Sequence, residues 1–406
     1  LDILKDACER ARYEQELRAA ETSGDRPALV LAEHVIAAVS QKTGIPASVL
    51  QGAGDGSDFE AMLKQVVVGQ DHVVEAIARE LKLIMSGMKD PNKPAGVYFF
   101  AGMTGTGKSE LAKCIAQIYS VSKKPTVYTM GNFSEPHTVS GIVGVPPGYV
   151  GYEMGGRLIN DLNSDPYSVV LLDEAEKAHP DIWKPFLNLF DEAWITDQRN
   201  VRAYGNRAIF ILTSNAGADE IYQKFQPKPA ASGKASTGRW VQSVDDETPA
   251  DDESSRQIET ITEEVTELLR KTYFRRDPTQ RCFSDEFLAR MTKIFIFRPL
   301  DAGALGKIVT LKLDALIKTW DEKRGKRLVI DPAVARFVTD DCAAAYAESR
   351  GAKGGRIVQK RIADLVESAL QTAVESDIDA YKRARVLRVS LGRDGLPAAR
   401  LLETED

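Results

Sequence analysis

Short, unbroken apolar runs alternate with amphipathic stretches through the middle of this chain. Val97-Tyr98-Phe99-Phe100, Thr126-Val127-Tyr128, Val169-Val170-Leu171-Leu172 and Ile209-Phe210-Ile211-Leu212 are each strand-sized. A strand covered on both faces lacks polar alternation, so these runs predict a parallel sheet with helices on either side. After the first run, Leu111, Ile115 and Ile118 recur at helical spacing and predict a helix with one apolar stripe. Near the start, Leu1, Leu4, Cys8 and Ala11 predict a helix carrying those four on one face. A second helix is predicted from Ala32 to Ser40, stopping before Gly44-Ile45-Pro46, with a linker at residues 52–57.

Order breaks at residues 226–256, where Pro, Ala, Ser, Gly and acidic residues dominate. Such composition buries too little apolar area to offset chain entropy and predicts a flexible surface insertion, with a helix resuming near Ile258. Beyond Pro299 the pattern predicts a smaller, mainly helical unit. One strand is expected at Leu328-Val329-Ile330 and another where Leu387, Val389 and Leu391 alternate with Arg388 and Ser390. The expected division is residues 1–56 as a helical piece plus linker, 57–299 as the large unit, and 300–406 as the small one.

Gly102-Met103-Thr104-Gly105-Thr106-Gly107-Lys108-Ser109 fits G-x-x-x-x-G-K-[ST] and lies between a predicted strand and a predicted helix. In that context backbone N–H groups close around phosphate oxygens, Lys108 reaches the β- and γ-phosphates, and the Ser109 hydroxyl holds Mg²⁺. The strand 169–172 ends in Asp173-Glu174, a pair suited to holding the metal (Asp173) and activating the attacking water (Glu174). The strand 209–212 ends in Thr213-Ser214-Asn215. From the residues alone, Asn215 either touches the γ-phosphate or caps the next helix. Val145-Pro146-Pro147-Gly148-Tyr149-Val150-Gly151-Tyr152 reads as an exposed loop. Its Tyr149 either grips a polypeptide or covers a core edge.

The chain has 406 residues, 43% of them hydrophobic, with a net charge of -6. This balance argues against a sequence-independent nucleic-acid binder, which needs excess positive charge. No apolar run is long enough to cross a bilayer. Four scattered cysteines and four histidines propose no metal cluster and suit a reducing cytoplasm. The chain begins at Leu1 with no leader pattern, so a missing true N-terminus is expected.

Taken in order, Val67-Val68-Gly69-Gln70, the phosphate loop, residues 146–153, the run Leu172-Asp173-Glu174-Ala175-Glu176-Lys177-Ala178-His179-Pro180 and Thr213-Ser214-Asn215 resemble the second ATPase module of Clp/ClpB-type AAA+ unfoldases and disaggregases. The resemblance runs from about Gln65 to the C-terminus, apart from the insertion. It implies an α/β fold: an AAA+ P-loop NTPase with a five-stranded parallel sheet covered by helices, plus a smaller, mainly helical C-terminal domain. It implies ATP and Mg²⁺ as cofactors, with Val67 and Val68 at the adenine. Gly102, Thr104, Gly105, Thr106, Gly107, Lys108, Ser109 and Glu110 would lie around the phosphates, and Ser109 and Asp173 at the metal. Glu174 would be the base, Asn215 the first sensor, and Arg356, after Gly354-Gly355, the second. Arg290 would be the finger acting on a neighbour's nucleotide, and Tyr149 with Val150 the substrate-gripping pore loop. Partners implied are unfolded or aggregated proteins and five further copies in a hexameric ring, with no nucleic acid or membrane.

The piece around Val35 to Pro46 resembles the exit from a preceding module, so a fragment of a two-module protein is expected. Some positions depart from the family pattern. Met103 replaces the usual Pro and Ser109 the common Thr, and Gln198-Arg199-Asn200-Val201-Arg202 is basic and glycine-poor where a glycine-rich second pore loop is usual. No Ile-Gly-Phe/Leu-like hook lies between Asn215 and Arg290, which argues against docking on a ClpP-type peptidase. Three other readings remain: a remodeller dedicated to one assembly such as a secretion sheath, a nucleotide-gated scaffold with little turnover, and a nucleic-acid motor.

Overall fold

The structure is a computed structural model that describes residues 2–19, 29–43, 45–47, 50, 58–225, 250–352 and 354–403. Five parallel strands form the central sheet: β1 (Gly96–Gly102), β2 (Thr126–Thr129), β3 (Val169–Asp173), β6 (Ile209–Ser214) and β9 (Lys293–Phe297), in the order β2-β3-β6-β1-β9. Alternate residues of each inner strand serve two cores. Val97, Phe99, Val170, Leu172, Phe210 and Leu212 enter one, while Tyr98, Phe100, Val169, Leu171, Ile209 and Ile211 enter the other. The first is closed by helices Arg157–Ser164, Lys184–Glu192 and Ala250–Arg270, and the second by Phe59–Val66, Asp71–Met85 and Lys108–Tyr119. Burial on both faces is why these runs carry no polar alternation.

β2 departs from that expectation. It is an edge strand, and its Val127 is 41% exposed. β9, unmarked in the sequence reading, completes the sheet. It is fastened by Glu80, whose buried carboxylate meets Lys89 at 2.5 Å and Lys293 at 2.7 Å. Between β3 and β6 in the chain comes a small antiparallel hairpin, β4 (Trp194–Thr196) with β5 (Arg202–Tyr204), whose Ile195 and Ala203 join the first core. A second hairpin, β7 (Tyr273–Phe274) with β8 (Asp277–Arg281), precedes the short helix Asp285–Leu288.

The rest of the chain builds a third core from Leu305, Val309, Val334, Val338, Val358, Leu387 and Val389. Helices Ala302–Arg324, Pro332–Glu348 and Arg356–Ile362 surround a sheet of β10 (Arg327–Ile330), β11 (Val386–Leu391) and β12 (Pro397–Leu402). β12 escaped prediction because Pro397-Ala398-Ala399-Arg400 has neither β-branched residues nor strong alternation. It exists through its antiparallel pairing with β11.

Two further expectations need correction. In helix Asp2–Ala19 the buried face is Ala7 and Ala11, whereas Leu4 and Cys8 are exposed. Small residues face helix Ala32–Thr43 there, whose Ala38 is also buried, and close approach outweighs the apolar bulk of leucine. The helix after the insertion starts at Ala250 rather than Ile258, inside the expected 226–256 segment, and residues 226–249 lie outside the described ones.

Candidate active site

Parallel strands deliver all their C-terminal ends to one edge, and three such ends supply this site. The end of β1 turns through residues 102–107 into helix Lys108–Tyr119. Gly105 and Gly107 take φ of +75° and +102°, which side-chain-bearing residues adopt only with strain. Gly105 has a second constraint: an added Cβ would stand 2.9 Å from the Gly355 nitrogen. The loop therefore offers main-chain N–H groups and a helix N-terminus in one concave turn, the form that receives phosphate.

The Lys108 ammonium is buried, donating to the Gly102 carbonyl at 2.6 Å, the Met103 carbonyl at 2.7 Å and Asn215 Oδ1 at 3.0 Å. Burial pulls its pKa down to about 8, although the carboxylates of Glu176 and Asp173 act the other way. Asp173, at the tip of β3, accepts from the Ser109 hydroxyl at 3.3 Å and from the Thr213 hydroxyl at 2.5 Å. Thr213 Oγ1 in turn accepts from the Glu174 N–H at 3.0 Å, so one side chain of β6 sets both acidic residues. Glu174 sits in the left-handed region at φ 57°, and its carboxylate meets Lys177 at 2.7 Å.

Val67, Val68, Thr104, Gly105, Thr106, Gly107, Lys108, Ser109, Glu110, Asp173, Glu174, Asn215 and Arg356 all line one cavity of about 260 Å³. Gly102 does not line it and reaches it only through its carbonyl to Lys108. The hard oxygens of Ser109 and Asp173 suit Mg²⁺, which takes few protein ligands and keeps water and phosphate for the rest. Leu300 and Ile308 add apolar surface beside the valines, as a base-binding end requires.

The wall formed by the small unit is held directly against the loop. The Gly355 N–H donates to the Gly105 carbonyl at 2.8 Å, and an added Cβ on Gly354 would fall 1.8 Å from the Thr104 carbonyl oxygen. Gln70, wholly buried, ties the valine strip to the end of β9. It donates to the Arg298 carbonyl and accepts from the Arg298 N–H, both at 2.9 Å.

Three residues of the sequence reading lie elsewhere. Arg290 follows a helix whose Phe287 packs on Trp183 at 4.7 Å between ring centres, and its guanidinium meets Asp191 at 2.8 Å and Glu286 at 3.1 Å. It does not reach its own chain's cavity. Tyr149 is 69% exposed and Val150 fully so, on a loop whose Gly148 and Gly151 have left-handed φ and open space around them. Sequence reasoning missed Thr213, Lys312 and Gln359. Thr213 stood two residues before Asn215 in the same strand. Gln359 follows Arg356 at i+3 and Lys312 follows Ile308 at i+4, spacings informative only once those helices are placed.

A phosphate loop after β1, an acid pair on β3 with β6 lying between the two strands, and a docked helical unit together define a P-loop nucleotide-binding module of the AAA+ kind. Comparison with known proteins makes this specific. Residues 93–294 match the family model of the AAA domain (Cdc48 subfamily). The chain is 35% identical to the chaperone protein ClpB of Meiothermus ruber over 73% of its own length and 31% of that protein. It is 32% identical to the chloroplastic chaperone protein ClpC1 of Arabidopsis thaliana over 98% of its length and 40% of that protein. It also resembles a closed-state cryo-EM reconstruction of Hsp104 with ATPγS and FITC casein, with a TM-score of 0.67 and 25% identity over 92% of this chain and 56% of that one. The chain belongs to the Clp-type AAA+ ATPases. It spans less than half the length of the curated relatives it matches.

Proposed function

We propose that this chain is the ATP-hydrolysing second module of a Clp-type protein unfoldase. The supporting observation is the convergence of Lys108, Ser109, Asp173, Glu174, Asn215 and Arg356 on one cavity. In this reading Lys108 leaves the Gly102 and Met103 carbonyls for the β- and γ-phosphates of ATP. Asn215, already touching Lys108, senses the terminal phosphate, and Arg356 reads it from the small unit. Glu174 takes a proton from the attacking water, and Lys177 pairs with that carboxylate. Mg²⁺ bound at Ser109 and Asp173 would spread the charge that builds on the phosphate oxygens.

Arg290 lies outside its own cavity, after a helix packed on an aromatic cluster, the placement a finger serving the next subunit of a homo-hexamer needs. Tyr149 and Val150, exposed on a glycine-hinged loop, would grip unfolded or aggregated chains irrespective of sequence. Residues 57–299 would be the large ATPase unit, 300–406 the small one and 1–56 the exit from a preceding module. We assign the protein to the cytoplasm, acting on proteins rather than nucleic acid or membrane and without a ClpP-type peptidase. Among the described residues no helix is long and apolar enough to cross a membrane.

The deciding experiment compares ATP turnover of the wild type and Glu174→Gln. A general base of this kind contributes about 10²- to 10⁴-fold, so turnover should fall by that factor while ATP binding persists. Equal turnover in the two proteins would refute the assignment.

A further inference from the structure

The turn between β4 and β5 and the loop carrying Tyr149 are separate in sequence, yet the turn holds both feet of that loop. At the first foot, the Gln198 N–H donates to the Val143 carbonyl at 3.1 Å. At the second, Arg199 Nη1 donates to the Glu153 carbonyl at 2.7 Å. The guanidinium is itself aimed by Asp197, whose Oδ2 accepts from Arg199 Nε at 2.8 Å. Asp197 is immobilised in turn: its side chain is fully enclosed, and its Oδ1 accepts the N–H groups of Arg199 at 2.9 Å and Val201 at 2.8 Å. Charge-assisted bonds inside a tight turn are the strong kind, and the planar fork of arginine serves two acceptors at once.

Gly155 shows how closely the parts fit. A Cβ added there would lie 2.0 Å from Arg199 Nη2 and 2.8 Å from Asp197 Oδ2. The backbone of the second foot lies against the guanidinium, so a side chain there must push the Arg199 fork aside. Between the feet, Tyr149 and Val150 are exposed. None of Asp197, Gln198 or Arg199 lines the nucleotide cavity.

We propose that Arg199 is a positioning residue that joins the 197–201 turn to the base of the Tyr149 loop, so that both move as one gripping body. The glycine-poor, basic sequence of this turn then has a physical reason: it is an anchor, and an arginine fork replaces backbone freedom. The consequence for unfolding rests on the gripping role given to Tyr149 above, whereas the joining itself rests on the bonds alone.

Two readouts keep these apart. Amide hydrogen exchange is measured in the full chain for wild type, Arg199→Ala and Gly155→Ala. In both variants exchange across residues 144–156 should rise about tenfold while β1, β3 and β6 keep wild-type protection, because only a local opening is eased. Unchanged exchange across 144–156 in both variants overturns the proposal. In the same proteins, unfolding of a stable tagged substrate should slow about tenfold and more ATP should be spent per molecule unfolded, a coupling loss of ordinary size. If the wild type itself unfolds nothing, the gripping role fails, and the exchange result still decides whether Arg199 joins the loops.

Discussion

Replacing Gly354 by alanine tests the contact between the small unit and the phosphate loop. The new methyl group would lie 1.8 Å from the Thr104 carbonyl oxygen and 2.7 Å from Gly105 Cα, both main-chain atoms that no rotamer change can move. Gly354 also has φ of +52°, which costs an alanine roughly 1–2 kcal/mol. Keeping the contact therefore adds overpacking of about 1–3 kcal/mol to that backbone strain. The alternative is for the turn to lift off the loop. That sacrifices the 2.8 Å bond from Gly355 to Gly105, worth about 1 kcal/mol, and withdraws Arg356 from the cavity it lines. A charged hydrogen bond to phosphate is worth about 1.5–3 kcal/mol, so lifting is competitive with holding, and nucleotide affinity bears the loss. The expected result is a dissociation constant for a fluorescent ATP analogue raised about ten- to 150-fold. Thermal unfolding of the ligand-free protein should shift down by only a few degrees, since the third core is untouched. Binding within about threefold of wild type would refute the reasoning, because it would mean that small-unit docking does not build the site.

Other expectations follow from the same geometry. Thr213→Val removes the hydroxyl that joins Asp173 to the Glu174 N–H, and turnover should fall about 10²-fold at saturating ATP, read by steady-state phosphate release. Tyr149→Ala should leave ATP binding intact yet abolish unfolding of a tagged substrate, because the exposed ring touches nothing in the nucleotide cavity. Burial opposes ionisation of Glu80, but Lys293 and Lys89 outweigh it and hold its carboxyl below the usual glutamate range. A lowered folded pKa gives stability that is full above the unfolded value and fades as pH falls through the folded one. The melting-temperature gap between wild type and Glu80→Gln should therefore be widest near neutral pH and close in acid.

The legible parts of this molecule are those where one local pattern carries one demand. Residues 97–109 announce themselves because a doubly covered strand, a glycine turn and a helix N-terminus each have their own residue types. Asp173 and Glu174 gain meaning from the strand that ends in them. What stayed hidden depends on distant partners. β9 and β12 are strands because a neighbour offers a free edge, and the Ala7–Ala11 face is buried because Ala38 lies opposite. Thr213 has its role only when β3 and β6 lie side by side. Arg199 shows in sequence only as part of a basic, glycine-poor run, since the Glu153 carbonyl it meets is 46 residues away.

Glu174 sits in a backbone conformation natural to glycine. Glycine would relax that turn by about 1 kcal/mol and remove the carboxylate in the same stroke. If Glu174 is the base proposed above, a more comfortable chain and a working catalyst exclude each other at this position, and selection for durability alone would erode the reaction here.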